Sequence, residues 1–240
     1  MQQVYALKLV QIIRKANEKV LSRMTTAYAH PELPQHIPVS SPLLQLANSA
    51  KEPETAWAVF SALWKELTAN TRGRVPILFA LDGLPHIMKI SDYRNASFDL
   101  IHSHDLALVR LFTDCLNGTV SLPHGGAILA ATTRNNAPRS PSMELALQQR
   151  AAEQTGADAP VRQPYFRGYD ARVETALRSA QVMRLKGVSK LETRSMMEYW
   201  AASGLLRTTV DEVAVSEKWM LGGNGVLGEM ERASLLTMRL

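Results

Sequence analysis

Residues 75–81, Val-Pro-Ile-Leu-Phe-Ala-Leu, form an unbroken apolar run that stops abruptly at Asp82 and Gly83. Apolar residues without alternation mark a strand covered on both faces, as in a parallel α/β sheet. The pattern recurs: a Gly125-Gly126 turn leads into Ala127–Ala131 and then into polar Thr132, Thr133, Arg134 and Asn135. Between the two runs, "DLALVRLFTDCLNG" has helical spacing, with Asp105 near its start and Asn117-Gly118 as its stop. Two buried strands joined through a helix form a βαβ unit, expected to be right-handed and to gather ligand groups at the carboxyl ends of its strands. Asp82 and Thr132/Thr133 are therefore expected on one edge of a sheet.

Upstream, Leu9, Ile12, Ile13, Ala16, Val20 and Met24 recur at helical intervals and predict a helix packed on a core by that face. This favours structure over a transit peptide for the basic N-terminal segment. Pro31, Pro34, Pro38 and Pro42 then forbid regular pairing and mark an extended connector. "EPETAWAVFSALWKELTAN" predicts a helix with Pro53 and Glu54 in its first turn and a core stripe of Trp57, Phe60, Leu63, Trp64 and Leu67. Arg72–Arg74 read as a basic turn, and the stretch holding Asp92, Asp99, His102 and His104 as a loop.

Beyond Asn136 the composition shifts to Pro, Ala, Gln and Arg around a short helix near Met143–Gln154. Ser189 and Glu192 match a capping box that opens a helical C-terminal region. These shifts divide the chain into an α/β region (1–135), a linker or exposed insertion (136–164) and a helical module (165–240).

At 240 residues and 46% apolar content the chain can bury a real core. It has no apolar run near the roughly 18–20 residues that would span a bilayer. The single Cys115 excludes a disulfide scaffold, suits a reducing compartment, and lies where a small core residue is expected. The net charge of +5 is unevenly spread: residues 1–30 hold five Lys/Arg against Glu18 alone, and residues 134–190 hold ten against five acids. Such clustering suits a polyphosphate partner. Lys8, Arg14, Lys15, Arg134 and Arg139 are the candidate RNA contacts.

A P-loop nucleotide site needs a glycine-rich, lysine-bearing loop for the phosphates and a strand-end acid for the magnesium shell. Asp82 suits the second role, although a strand-terminal Asp bonding the following loop has the same sequence. The pattern G-x-x-x-x-G-K-[ST] is absent, and "GGNGVLGEM" at 222–230 has no lysine and reads as a helix connector. Gly83 stands where many ATPases place a water-polarising glutamate, so nucleotide hydrolysis is expected to be slow or to need a group supplied from elsewhere. The His102-x-His104 pair lacks companion ligands at metal spacing.

"VPILFALDGLPHI", "HDLALVRLFTD", "HGGAILAATTRNN" and "SKLETRSMMEYWAASGLL" resemble, in order and spacing, the death-associated protein three family, GTP-binding proteins of the mitochondrial small ribosomal subunit, in a fungal form. The resemblance runs from about Pro76 to the end. It implies a partial P-loop NTPase (AAA+-like) parallel sheet with a winged-helix-like helical module. It also implies GTP or GDP with Mg2+ held by the complete protein, with Asp82 as the strand-end acid reaching Mg2+ through water. Gly83, Thr132 and Thr133 would complete the nucleotide edge, Thr132 in a sensor-like position. The implied partners are small-subunit rRNA, neighbouring proteins of the subunit head and, through a bridge, the large subunit; the implied location is the mitochondrial matrix. Family proteins carry the phosphate loop upstream of the strand-end acid, so the chain is expected to be the C-terminal two thirds of a longer protein. The alternatives are an AAA+-like regulatory or signalling NTPase with a DNA-reading winged helix, disfavoured by the acid excess of residues 191–240, and an α/β domain that binds no nucleotide.

Overall fold

The computed structural model describes residues 2–132 and 137–236. The chain divides into two compact units, one comprising 1–133, 138–146 and 162–180, the other 134–137, 147–161 and 181–240.

The first unit begins with α1 (Gln2–Ala16), a short α2 (Glu18–Leu21), α3 (Leu43–Asn48) and α4 (Pro53–Leu67). Pro53 occupies the first turn of α4, where its missing N–H costs nothing. Val10, Leu43, Leu46, Val59 and Leu63 form the centre of the core. The expected face is met in part: Leu9 and Ile13 pack against the core and Met24 is buried in it, whereas Ile12 is 64% exposed, Val20 faces solvent, and Ala6 and Val10 are buried instead. Asn17 separates α1 from α2, and Leu21 and Met24 reach the core from α2 and the turn after it. The proline connector contains no helix or strand, yet Leu33 and Ile37 dock on the core, and Pro42 leads directly into α3.

A carboxylate holds these pieces together. Glu66, 0% exposed on α4, accepts hydrogen bonds from the backbone N–H of Ala27 and Tyr28 and pairs with His30 Nε2 at 2.9 Å. Arg74 donates to Glu66 as well, and to Thr25 O at 2.7 Å. Arg74, expected in a basic turn, is therefore a buried cation with a buried partner.

Strand β1 (Ile77–Leu81) pairs in parallel with the later strand at Gly126–Ala130, Ile77 opposite Gly126 and Leu81 opposite Ala130. Gly126 is needed at this junction, because a Cβ there would come within 2.1 Å of Ile77 O. Between them lie β2 (Ile90–Arg94), β3 (Leu100–His102) and α5 (Ala107–Leu116), which makes the Gly126–Ala130 strand β4. An aromatic series seats β1: Trp64 of α4 meets Phe79 at 5.0 Å, and Phe79 meets Phe112 of α5 edge-on at 5.0 Å.

Among the described residues, packing covers one face of this sheet. Leu78 is 66% and Leu129 54% exposed, so the expected burial on both faces does not occur. The reason is that β1 and β4 form a two-stranded sheet, with helices packed against the Phe79 side alone. The stretch expected as a loop holds the antiparallel β2–β3 hairpin. Its turn is built by Asn95, whose Oδ1 accepts from the N–H of Ser97 and Asp99, with Phe98 at φ 66°. The unit closes with the start of α6 (Pro141–Thr155) and with α7 (Ala171–Leu177).

The second unit contains the rest of α6, α8 (Lys190–Ala202), α9 (Glu212–Leu221), α10 (Leu227–Glu231) and a π-turn at Arg232–Leu236. The Ser189–Glu192 capping box is present in both directions, and Asp211 caps α9 through Ala214 N–H. Met197, Leu206 and Val215 form its core. The glycine-rich stretch from Gly222 connects α9 to α10.

Candidate functional site

The parallel register carries β1 and β4 to the same end of the sheet. Ala131 N–H donates to Leu81 O at 2.9 Å and Leu84 N–H to Ala131 O at 2.9 Å, so Asp82 and Thr132 leave adjacent strands side by side. Both are exposed. Among the described residues the Asp82 carboxylate accepts no hydrogen bond, so it does not serve to tie down the following loop. Thr133 and Arg134 lie outside the described residues.

Gly83 has a backbone reason to be glycine. It adopts φ 77° and ψ 42°, a left-handed conformation that turns the chain into the 3-10 helix Leu84–His86. A side chain there would also meet His86 Cδ2 at 3.1 Å. The position that could carry a water-polarising carboxylate is thus occupied by a turn. What the edge offers chemically is one free carboxylate and one hydroxyl, open to solvent. Two clefts, of about 650 and 410 Å³, lie elsewhere and include neither Asp82 nor Thr132.

The basic candidates separate. Lys8 and Lys15 are exposed on α1, seven residues apart and so two turns along one face. Arg14 is instead half-buried and donates to Asn48 Oδ1 at 2.9 Å, joining α1 to the residue that ends α3. Arg139 is exposed.

His102 and His104 form a structural cluster. His104 N–H donates to His102 Nδ1 at 3.1 Å, and the two rings meet edge-on at 4.5 Å. His102 Nε2 lies 2.9 Å from Asp170 Oδ2, an ion-pair distance whose angle falls outside hydrogen-bond range. Asp170 also caps α7 through Arg172 N–H, and Arg172 reaches back to Asp105 at 2.8 Å, holding that carboxyl below its ordinary range. Burial, reinforced by His102, pulls the His104 pKa down to about 4. No group of three or more metal-ligating side chains occurs among the described residues. Cys115 is buried as expected, and that burial pushes its thiol pKa up.

Sequence reasoning passed over the Glu66–His30–Arg74 network, whose only local sign was a Glu on the apolar side of α4. It also passed over the interleaved aromatic and basic residues at 162–169, a pattern visible in "RQPYFRGY".

The model of the family "Mitochondrial ribosomal death-associated protein 3" matches residues 1–233. The chain belongs to that family. Mitochondrial localisation follows from the membership, as the resemblance implied. The small ribosomal subunit protein mS29 of Neurospora crassa is 65% identical over 240 residues, covering 99% of this chain and 51% of that protein. The protein of the same name from Schizosaccharomyces pombe is 23% identical over 216 residues, covering 88% of this chain and 42% of its own length. The chain thus spans about half the length of the relatives it matches, and the fungal character implied by the resemblance agrees with both. No helix among the described residues is long and apolar enough to cross a membrane.

Proposed function

We propose that the protein is a structural constituent of the mitochondrial small ribosomal subunit, seated in its head against rRNA and neighbouring proteins, with a bridge to the large subunit. The observation that carries this reading is the family match over residues 1–233, with 65% identity to a small-subunit protein. The exposed cations Lys8, Lys15 and Arg139 suit contact with phosphate.

The fold reading that goes with it is a P-loop NTPase sheet of the AAA+-like kind, of which β1 and β4 are two adjacent strands, with α8 and α9 in a winged-helix-like module. The exposed apolar face of the sheet supports this, since such sheets are covered on both sides. GTP or GDP with Mg2+ belongs to the complete protein in this reading. The strand edge fits part of that requirement: magnesium is bound by one or two carboxylates together with phosphates and water. Asp82 would hold it through water, and Thr132 would face the nucleotide. The 240 residues supply no phosphate-cradling lysine loop. Bound magnesium would neutralise phosphate charge, while Gly83 brings no group to orient an attacking water. The role proposed for the nucleotide is therefore stabilisation of the fold. A DNA-reading regulator draws no support from residues 191–240, which carry seven acids against five Lys/Arg.

Co-sedimentation of the tagged full-length gene product with mitochondrial ribosomes, at moderate and at high salt, tests the reading. Retention in the small-subunit peak at high salt is expected; release at both salts would overturn it. For the nucleotide, GTP with Mg2+ should raise the melting temperature of the full-length product, and Asp82→Asn should reduce that shift.

A further inference from the structure

The loop at residues 162–169 is closed on itself by its own aromatic residues. Tyr169 accepts at its hydroxyl from Gln163 N–H at 3.2 Å, meets Phe166 edge-on at 4.9 Å, and carries the Arg162 guanidinium over its ring at 5.6 Å. Arg162 is further held by an ion pair with Glu174 of α7. Gly168 leaves room for this arrangement, because a Cβ there would come within 2.6 Å of Phe166 Cζ.

Tyr165 and Arg167 take no part in the closure. Tyr165 is 96% exposed, and Arg167, two residues on, is exposed with no ion-pair partner among the described residues. Residues 159–169 contain no acid. An exposed tyrosine two residues from an unpaired arginine offers what an unstacked base needs, an aromatic face and a cation for the adjoining phosphate.

We propose that this loop is a contact for single-stranded RNA, with Tyr165 stacking on an unpaired base and Arg167 meeting its phosphate. The inference rests on the ribosomal reading above and names a surface for it. RNA is favoured over a protein partner because the loop offers exposed aromatic faces, Tyr165 and the 41%-exposed Phe166, with an unpaired arginine and no acid from 159 to 169, the combination of stacking surface and cation that a single strand takes. Of the chain neighbours of Tyr165, Phe166 meets Tyr169 edge-on and still leaves part of its ring exposed.

The test measures anisotropy of a labelled, unstructured oligouridine of about 12 nucleotides, a length within the span of single-strand sites, with the 240-residue chain. Tyr165→Ala is expected to weaken binding about tenfold with its salt dependence unchanged, since stacking on a base is not ionic. Tyr165→Phe should restore most of the affinity. Arg167→Gln should weaken binding and flatten the salt dependence by about 0.7 in log–log slope, one phosphate contact on a single strand. Unaltered circular dichroism and melting of Tyr165→Ala would show that the loss is local. In ultraviolet-irradiated small subunits, the peptide holding Tyr165 should carry a nucleotide adduct.

No binding by the wild-type chain, equal binding by Tyr165→Ala, or cross-linking of that peptide to protein alone would overturn the proposal. If the wild type co-sediments with small subunits while Tyr165→Ala binds RNA normally, the loop assignment fails and the ribosomal reading stands. Absence of the wild type from the subunit peak would remove both.

Discussion

The helical core around α4 and the two-stranded sheet beside it are made of similar residues and reach opposite ends of self-sufficiency. In the core, Leu43, Leu46 and Leu63 are fully buried, and the carboxylate of Glu66 meets its donors from Ala27, Tyr28, His30 and Arg74. In the sheet, Phe79 is packed on one side while Leu78 and Leu129 face solvent on the other. The contrast shows that apolar sequence sets a demand for burial, and that the number of neighbouring elements decides whether it is met.

The comparison can be broken most severely at its polar centre. Glu66→Ala would leave the Arg74 guanidinium buried without its carboxylate and two backbone N–H groups unpaired, and should cost about 3–5 kcal/mol in urea unfolding followed by tryptophan emission. A loss below 1 kcal/mol would mean that the segment rearranges to find other partners. Next, Leu63→Ala removes a side chain that is 1% exposed and should cost about 2–5 kcal/mol.

The His102–His104 cluster sharpens the contrast through pH. His104 is held neutral with a pKa of about 4, against an ordinary 6.5 in the unfolded chain. Between these values the unfolded state binds more protons, so stability is full above about pH 6.5, falls as the pH drops toward 4, and levels off below it. The shift corresponds to about 3–4 kcal/mol, which solvent screening of the half-buried ring reduces to about 2–3 kcal/mol. His104→Leu should remove that part of the slope, as measured by urea midpoints across the range; an unchanged profile would assign the slope to other groups.

A smaller effect is expected at the strand edge. Gly83→Ala puts a Cβ in a left-handed conformation and against His86, for about 1–2 kcal/mol in the same unfolding measurement. The smallest is Leu78→Ala, expected within about 0.5 kcal/mol for the isolated chain because the side chain is already in water. A cost comparable with Leu63→Ala would show that the open face is covered in solution and would abolish the distinction between the two regions.

Much of this architecture was legible residue by residue. The two apolar runs and their polar ends identified β1, β4 and the shared edge at Asp82 and Thr132, because strand direction and the intervening helix leave little topological choice. Ser189 and Glu192 announced α8, since a capping box is satisfied within one turn of chain. The β2–β3 hairpin was missed, although Asn95 and the β-forming residues beside it carried a turn signal; the charged Asp92 and Asp99 masked the short strands.

The sequence by itself determined those elements whose forces act over a few residues: helix periodicity, caps, glycine turns and the direction of the βαβ unit. Tertiary structure alone decided that α1 buries Ala6 and Val10 and leaves Ile12 in solvent, and it alone decided that, among the described residues, β1 and β4 pair only with each other. It also assembled residues distant in the chain, Glu66 with Ala27 and His30, and His102 with Asp170. Such pairings depend on where separate elements meet, and a pattern read along one segment holds no record of the partner that will desolvate it.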